Sequence, residues 1–397
     1  MKKFQNRPCP VILCFTLLIA LFSSCSTQSQ SIQDPPEIQI GNNTQSIEGE
    51  IDLPKTTDTS LLLKFPSGIR AILEDSKGNI WFASHQEGVC LFDGKKLTYF
   101  TTEDGLSANQ VRSIFEDSNG IVWFEGGEGI SSYDGEKITT HLEKNYNSKN
   151  AWQSGKNDLW FKGDEMGGYS GMEGERGVYR YDGTKLNYHV FPITQKQDEQ
   201  FFYSVSTPFV KGKNGMVWFG TYGGVIGYDG TSLPNALMRN WQDQTAFTII
   251  NNKSLGLNQE AGLHIRSIFE DSKGNLWIGN NGIGVLRYDG DTIINFTELQ
   301  GLMSENSGRS GGFRSPPGSL EHVFSIGEDL NGNMWFGDRD TGAWRYDGKT
   351  MKNYTAKDGL TSTHIWQIYN TKEGELWFAM GDGNVLKFDE ESFDRVF

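Results

Sequence analysis

The sequence predicts an all-β fold, a propeller of seven blades with four antiparallel strands in each. Three observations carry this. One phrase is written seven times, and Trp81, Trp123, Trp160, Trp218, Trp277, Trp335 and Trp377 hold the same place in it; repetition at such a period marks a solenoid or a propeller. Inside each copy, apolar residues alternate in short runs rich in strand formers. Turn residues separate the runs, and 48 Gly with 13% aromatic residues in a 397-residue chain suit many short strands joined by tight hairpins.

The clearest copy runs from His264 to Gly290 and on into an apolar stretch. Ile265 to Glu270 alternates as a first strand, Asn275 to Gly279 is a second, Val285 to Tyr288 a third and Ile293 to Thr297 a fourth. Four antiparallel strands repeated radially make a propeller blade. The tryptophans are expected to be buried between neighbouring blades. The run Asp329-Leu330-Asn331-Gly332-Asn333 invites a calcium reading, but it lacks the acid that closes an EF-hand loop and falls where a hairpin turn is needed. Ser392 to Phe397 aligns with Lys95 to Phe100, so the C-terminus is expected to supply the last blade's outer strand. Thr59 to Phe65 also reads as a strand, a clasp that would shield an exposed edge.

Glu270 to Trp277, Gly342 to Gly348, and the links Asp104-Gly105-Leu106 and Asp358-Gly359-Leu360 resemble the two-component regulator propeller repeat, over roughly residues 69 to 397. The resemblance implies a periplasmic ligand-binding sensor region of the kind that precedes a membrane helix and kinase. Here the chain ends on the last repeat, so the expectation is a stand-alone sensor without its own kinase, reporting through a membrane signalling partner.

Residues 1–24 read as a lipoprotein signal peptide: a basic start to Arg7, then an apolar stretch from Val11 to Phe22 that is too short to span a bilayer. Leu21-Phe22-Ser23-Ser24-Cys25 resembles the bacterial lipobox, which implies lipidation at Cys25 and display on a bacterial membrane, the outer membrane by expectation, with membrane contact only through the lipid. Residues 25–60, poor in periodicity and rich in Ser, Gln, Thr and Pro, form a tether, and residues 61–397 the propeller. Loss of residues 1–24 removes Lys2, Lys3 and Arg7 and no acids, taking the net charge from −14 to −17. That balance excludes nucleic acid as a partner. Cys90 is then the one thiol left, expected as a small buried hydrophobe.

The intervals between tryptophans are 42, 37, 58, 59, 58 and 42 residues, so three carry extra sequence. One insertion, Lys162 to Arg176, lies between second and third strands. The others follow Asp182, Asp229 and Asp289 and are assigned to the links from fourth strands to the next first strands. Both kinds emerge at one face, which gains Tyr169, Phe201, Phe202, Tyr203, Trp241, Phe247 and Phe313, and loops on one face of a rigid scaffold commonly carry binding. Tyr222, Trp241, Asn280 and Arg339 are the expected ring-stacking or hydrogen-bonding groups over blades three to six. His264, His322 and His364 each open a first strand and are expected lower in the mouth, where a metal or an anion site is open to them.

Catalytic motifs fail on context. Gly308-Arg309-Ser310-Gly311-Gly312 matches a nucleophile elbow by letters but sits in a Gly/Ser/Pro stretch. No cofactor is expected. The first expectation is therefore a binding propeller for a glycan or other small solute. Two alternatives stand beside it: a metal-dependent lyase of the virginiamycin B lyase type, and a protein-interaction scaffold at the outer membrane.

Overall fold

The computed structural model describes residues 62–127, 129–141, 155–162, 176–191, 204–228, 264–305 and 314–397, with 247–251 described by backbone alone. The chain divides into two units, Met1–Ile51 and Asp52–Phe397, and every described residue falls in the second. The signal peptide, Cys25 and the tether lie outside the described residues. The rest form seven antiparallel sheets, each ordered as its strands follow in the chain. Blade one comprises Ile69–Glu74, Ile80–Ser84, Val89–Phe92 and Leu97–Phe100; blade two Val111–Glu116, Val122–Gly126, Ile130–Tyr133 and Ile138–His141. Blade three shows Leu159–Lys162, Gly177–Tyr181 and Leu186–Val190; residues 142–154, which precede them, lie outside the described residues. Blade four comprises Val210–Lys211, Val217–Gly220, Gly224–Tyr228 and Phe247–Asn251; blade five Ile265–Glu270, Leu276–Asn280, Val285–Tyr288 and Ile293–Asn295. Blades six and seven are Val323–Glu328, Met334–Asp338, Gly342–Tyr346, Met351–Tyr354 and Ile365–Asn370, Leu376–Met380, Val385–Phe388, Phe393–Arg395. The fold is the predicted seven-bladed propeller.

Each tryptophan is buried against the following blade, and the apolar core is accordingly seven clusters, one per blade junction. Trp81 packs with Val111, Ile114 and Phe124, and Trp335 with Ile365, Ile368 and Phe378. The last junction closes the ring, with Trp377 against Ile69, Ile72 and Phe82. The Glu-Asp pair at the end of the inner strand explains how the indole is held. Asp271 Oδ2 accepts the Trp277 Nε1–H at 2.8 Å, while its Oδ1 accepts the backbone N–H of Lys273 and Asn275. Asp75, Asp117 and Asp329 hold Trp81, Trp123 and Trp335 in the same way. In blade seven Thr371 takes the Asp position, and Glu375 Oε2 accepts from Trp377 at 2.9 Å.

The preceding Glu reaches backward. Glu116 accepts from the backbone N–H and hydroxyl of Ser76 in blade one, Glu328 from those of Ser272, and Glu74 from the Lys372 N–H, across the closing junction. The run read as a hairpin turn is thus also a latch between blades.

Ring closure departs from expectation in one respect. Phe393–Arg395 pairs with Val385–Phe388 as the outer strand, as predicted, but residues 62–65 form no strand and Thr59 to Leu61 lie outside the described residues. Side chains seal the junction instead. Phe397 sits 4.8 Å from Phe82 and 5.2 Å from Phe92, and Leu63 and Phe65 join the same cluster. The Asp-Gly-Leu links are capped 3₁₀ turns: Thr101 and Asp104 form a reciprocal cap, Gly105 follows at φ 107°, and Leu106 is buried. A side chain at Gly359, φ 99°, would meet the Phe393 carbonyl at 2.6 Å, which is why glycine stands there.

The insertion after Asp229 also needs correction. The fourth strand of blade four begins at Phe247 and pairs with Gly224–Tyr228. Residues 230–246 therefore fall in the chain between third and fourth strand, and only 252–263 fall between the fourth strand and the next blade; both stretches lie outside the described residues. Sequence length between landmarks does not say on which side of a strand the extra residues fall.

Replacing Asp271 by Ala should cost about 2–4 kcal/mol, because the indole and two backbone N–H groups of the hairpin lose one charged acceptor. Urea denaturation measures it; a change below about 0.5 kcal/mol would mean that the clasp does not hold the blade.

Candidate ligand site in the axial channel

Five of the six described inner strands carry a β-bulge at the same place; the short inner strand of blade four, Val210–Lys211, pairs without one. The pairing to the second strand slips between Ile69 and Ala71, Val111 and Ser113, Ile265 and Ser267, Val323 and Ser325, and Ile365 and Gln367. A bulge leaves one residue unpaired and re-aims its side chain. The unpaired residues are Arg70, Arg112, Arg266, Phe324 and Trp366, and all five line a channel of about 410 Å³ on the propeller axis. Lys162, at the end of blade three's second strand, joins them, with Ser206 of blade four. Among the described residues no acidic side chain lines it.

The rings and cations interlock. The Arg70 guanidinium lies 4.0 Å from the Trp366 ring centre, and that of Arg266 4.7 Å from Phe324. Phe324 and Trp366 meet edge to face at 5.5 Å. Arg70 Nη1 also lies 3.0 Å from His85 Nδ1, and Arg112 donates from Nε and Nη2 to Gln110 Oε1. Among the described residues neither Arg70 nor Arg112 is in an ion pair. Lys162 has one acidic partner, Glu125, at 3.2 Å; Glu125 also accepts the Lys162 backbone N–H.

This crowding shows in the acid–base behaviour. Burial, then repulsion from Arg112 and Arg266, pushes Arg70 down to about 9. Burial, against the pull of Glu125 and with repulsion from Arg112 and Arg70, lowers Lys162 to about 8. Arg112 is lowered by burial.

The predicted residues fall into separate groups. The Tyr222 and His264 rings lie 4.2 Å apart, tilted by 39°. The His364 ring lies 4.0 Å from that of Trp366, tilted by 36°, and borders the channel's aromatic wall. Burial lowers both His264 and His364 to about 3, so each is neutral at pH 7. His322 joins an ionic cluster: its Nδ1 meets Asp340 Oδ2 and Ser315 Oγ, each at 3.0 Å, and Arg339 donates to Asp340 at 2.9 Å. Asp338 organises that cluster from beneath, accepting the backbone N–H of His322, Asp340 and Thr341; burial raises its carboxyl above the usual range. Asn280 is not a loop group but the buried last residue of a second strand, accepting the Ile283 N–H. Trp241 lies outside the described residues. The three histidines form no common ligand set, and among the described residues no three His, Cys, Asp or Glu groups are placed to hold a metal ion. Cys90 is buried, its thiol pushed up to about 12 by burial.

The channel residues stand two positions beyond the strand-opening histidines to which the sequence pointed; Arg266, after His264, faces the axis. The signal was there: arginine at the same repeat position as Arg70, Arg112 and Arg266 in an acidic chain.

Lys162 sets a pH dependence. Below about 8 both folded and unfolded chains carry its proton, and folding bears the cost of burying the charge. Above it the folded protein releases the proton while the unfolded chain, near 10.5, keeps it, so stability rises with pH from about 8. Denaturation at pH 7 and pH 9 should show higher stability at pH 9, with the rise diminished in Lys162→Gln; an equal rise in that variant would assign it to other groups.

Three segments of the chain, 65–86, 105–124 and 259–282, match the model of the two component regulator propeller family. No curated protein sequence matches the chain. Among solved structures, it is similar to the extracellular domain of the putative hybrid two component system BT3049 from B. thetaiotaomicron, at 20% identity and TM-score 0.57, covering 84% of this chain and 40% of that one. The corresponding BT4673 domain gives 18% and 0.54, with 85% and 39% covered. The chain thus spans about two fifths of those longer proteins. Selenomethionine-substituted virginiamycin B lyase from Staphylococcus aureus matches at 16% identity and TM-score 0.55, covering 82% of this chain and 96% of the lyase. These likenesses share the propeller fold, and three of the chain's own repeats match the two component regulator propeller model.

Proposed function

We propose that the chain is an exported, lipid-anchored binding propeller that captures a small solute, a glycan or molecule of similar size, and reports its presence to a membrane partner. The axial channel carries this reading. At about 410 Å³ it falls within the range of small-ligand sites, and it sets the aromatic rings of Phe324 and Trp366 beside fixed hydrogen-bond donors, a mixture that suits a small polar solute. The basic start, the short apolar stretch and Cys25 support export and anchoring. The likeness of three repeats to sensor propellers supports the sensory role.

The lyase alternative draws less support. In a relay of nucleophile, base and acid, the imidazole's two nitrogens serve different partners, whereas Ser315 and Asp340 both meet Nδ1 of His322. That cluster reads as a strut between link and loop.

A thermal-shift screen of oligosaccharides should return a ligand whose affinity falls at least tenfold in Trp366→Leu; undiminished affinity would move the site off the axis. In cells, Cys25→Ala should shift the protein from the membrane to the soluble fraction, and persistence in the membrane would remove the lipid anchor from this reading.

A further inference from the structure

The channel wall is more specific than a general solute site requires. Going round the axis from blade five, the residues facing it are Arg266, Phe324, Trp366, Arg70, Arg112, Lys162 and Ser206. Four are cations, in a chain of formal net charge −14. An acidic protein gathers counter-charge at no cost on its surface; here the positive groups converge at the one place where they repel each other. Like charges enclosed together are unfavourable unless something neutralises them. Glu125 pairs with Lys162 and its charge also reaches Arg112, but among the described residues no carboxylate forms an ion pair with Arg70 or Arg112.

The geometry of the guanidinium groups is informative. Arg70 lies over Trp366 and Arg266 over Phe324. Stacking holds a guanidinium by its face and leaves donors at its edge, the arrangement that receives carboxylate, sulfate or phosphate oxygens in pairs. Arg112 spends Nε and Nη2 on Gln110, which fixes its direction while the rest of its charge faces the channel. The bulges that aim these side chains inward recur in five of the six described inner strands, and the choice of residue at each bulge sets what the channel accepts.

We infer that the channel's occupant is a small organic anion with two or more acidic groups, gripped by Arg70, Arg112 and Lys162, with its uncharged part against Phe324 and Trp366. This rests on the binding-propeller reading and narrows its ligand class. Nothing covalent is involved; the anion is held by charge-assisted hydrogen bonds.

Calorimetric titration and thermal melts of the purified chain at matched ionic strength test it, with citrate, inorganic sulfate and inorganic phosphate as probes, sodium chloride as the charge control and maltotriose as a neutral one. Citrate should bind and raise the melting temperature beyond the chloride control. Arg70→Gln/Arg112→Gln should weaken citrate at least tenfold, and without anion it should melt no lower than the wild type, since a repulsion is relieved. Arg70→Lys/Arg112→Lys, which keeps the charge, should retain part of the affinity and guards against a folding artefact. Relative strength among the three probes distinguishes carboxylate from sulfate and phosphate recognition. Wild-type protein that responds to none of the anions beyond chloride overturns the inference, as does wild-type affinity in the Gln variant. If maltotriose binds both proteins equally while the anions do not bind, the anion inference fails and the binding-propeller reading stands. An anion site with no neutral binding upholds both.

Discussion

Each tryptophan leaves its own sheet and is buried against the next, and that contact has two requirements. The indole must find apolar partners across the junction, as Trp335 does in Phe378 at 5.4 Å and Trp277 in Phe336 at 5.5 Å. Its nitrogen must also keep a hydrogen bond, or the buried donor costs more than the packing returns. In four blades the Asp at the hairpin meets the second requirement while tying down the turn. The Glu beside it then fastens that turn to the neighbouring blade. Two adjacent acids thus couple a strand end, a turn and a blade junction.

The channel depends on that coupling. Converging inner strands bring Arg70, Arg112 and Arg266 within each other's field, and burial with mutual repulsion takes Arg70 down to about 9. A scaffold that could relax would separate them. Six junctions pinned by indoles, and a seventh closed by Trp377, Phe397 and the Lys372–Glu74 contact, resist that relaxation. The energy of the junctions therefore holds the charges together, and the bulges decide that they point inward.

The architecture was legible because it is periodic. Trp277 and Asp271 repeat, strand lengths follow from alternation, and turns announce themselves in glycine. What lay beyond the pattern was harder to read. The bulge at Arg70 is a register slip, and alternation alone places its side chain on no particular face. The insertion at 230–246 was assigned to the wrong connection, since no residue there marks where the fourth strand begins. The clasp expected at Thr59 to Phe65 drew on β propensity, whereas at Phe65 burial of the ring outweighs strand pairing. Asn280 looked like a loop donor but ends a strand, and its side chain serves Ile283. Histidine is a residue of many chemistries, but His264 and His364 are neutral rings packed at a tilt against Tyr222 and Trp366.

The most direct test of the account is crystallographic: selenate soaked into crystals of the protein and located by the anomalous scattering of selenium. The account predicts a site inside the axial channel, with selenate oxygens within hydrogen-bond distance, about 2.7–3.0 Å, of Arg70 and Arg112. A channel without anomalous density at a selenate concentration that fills surface sites elsewhere would contradict it.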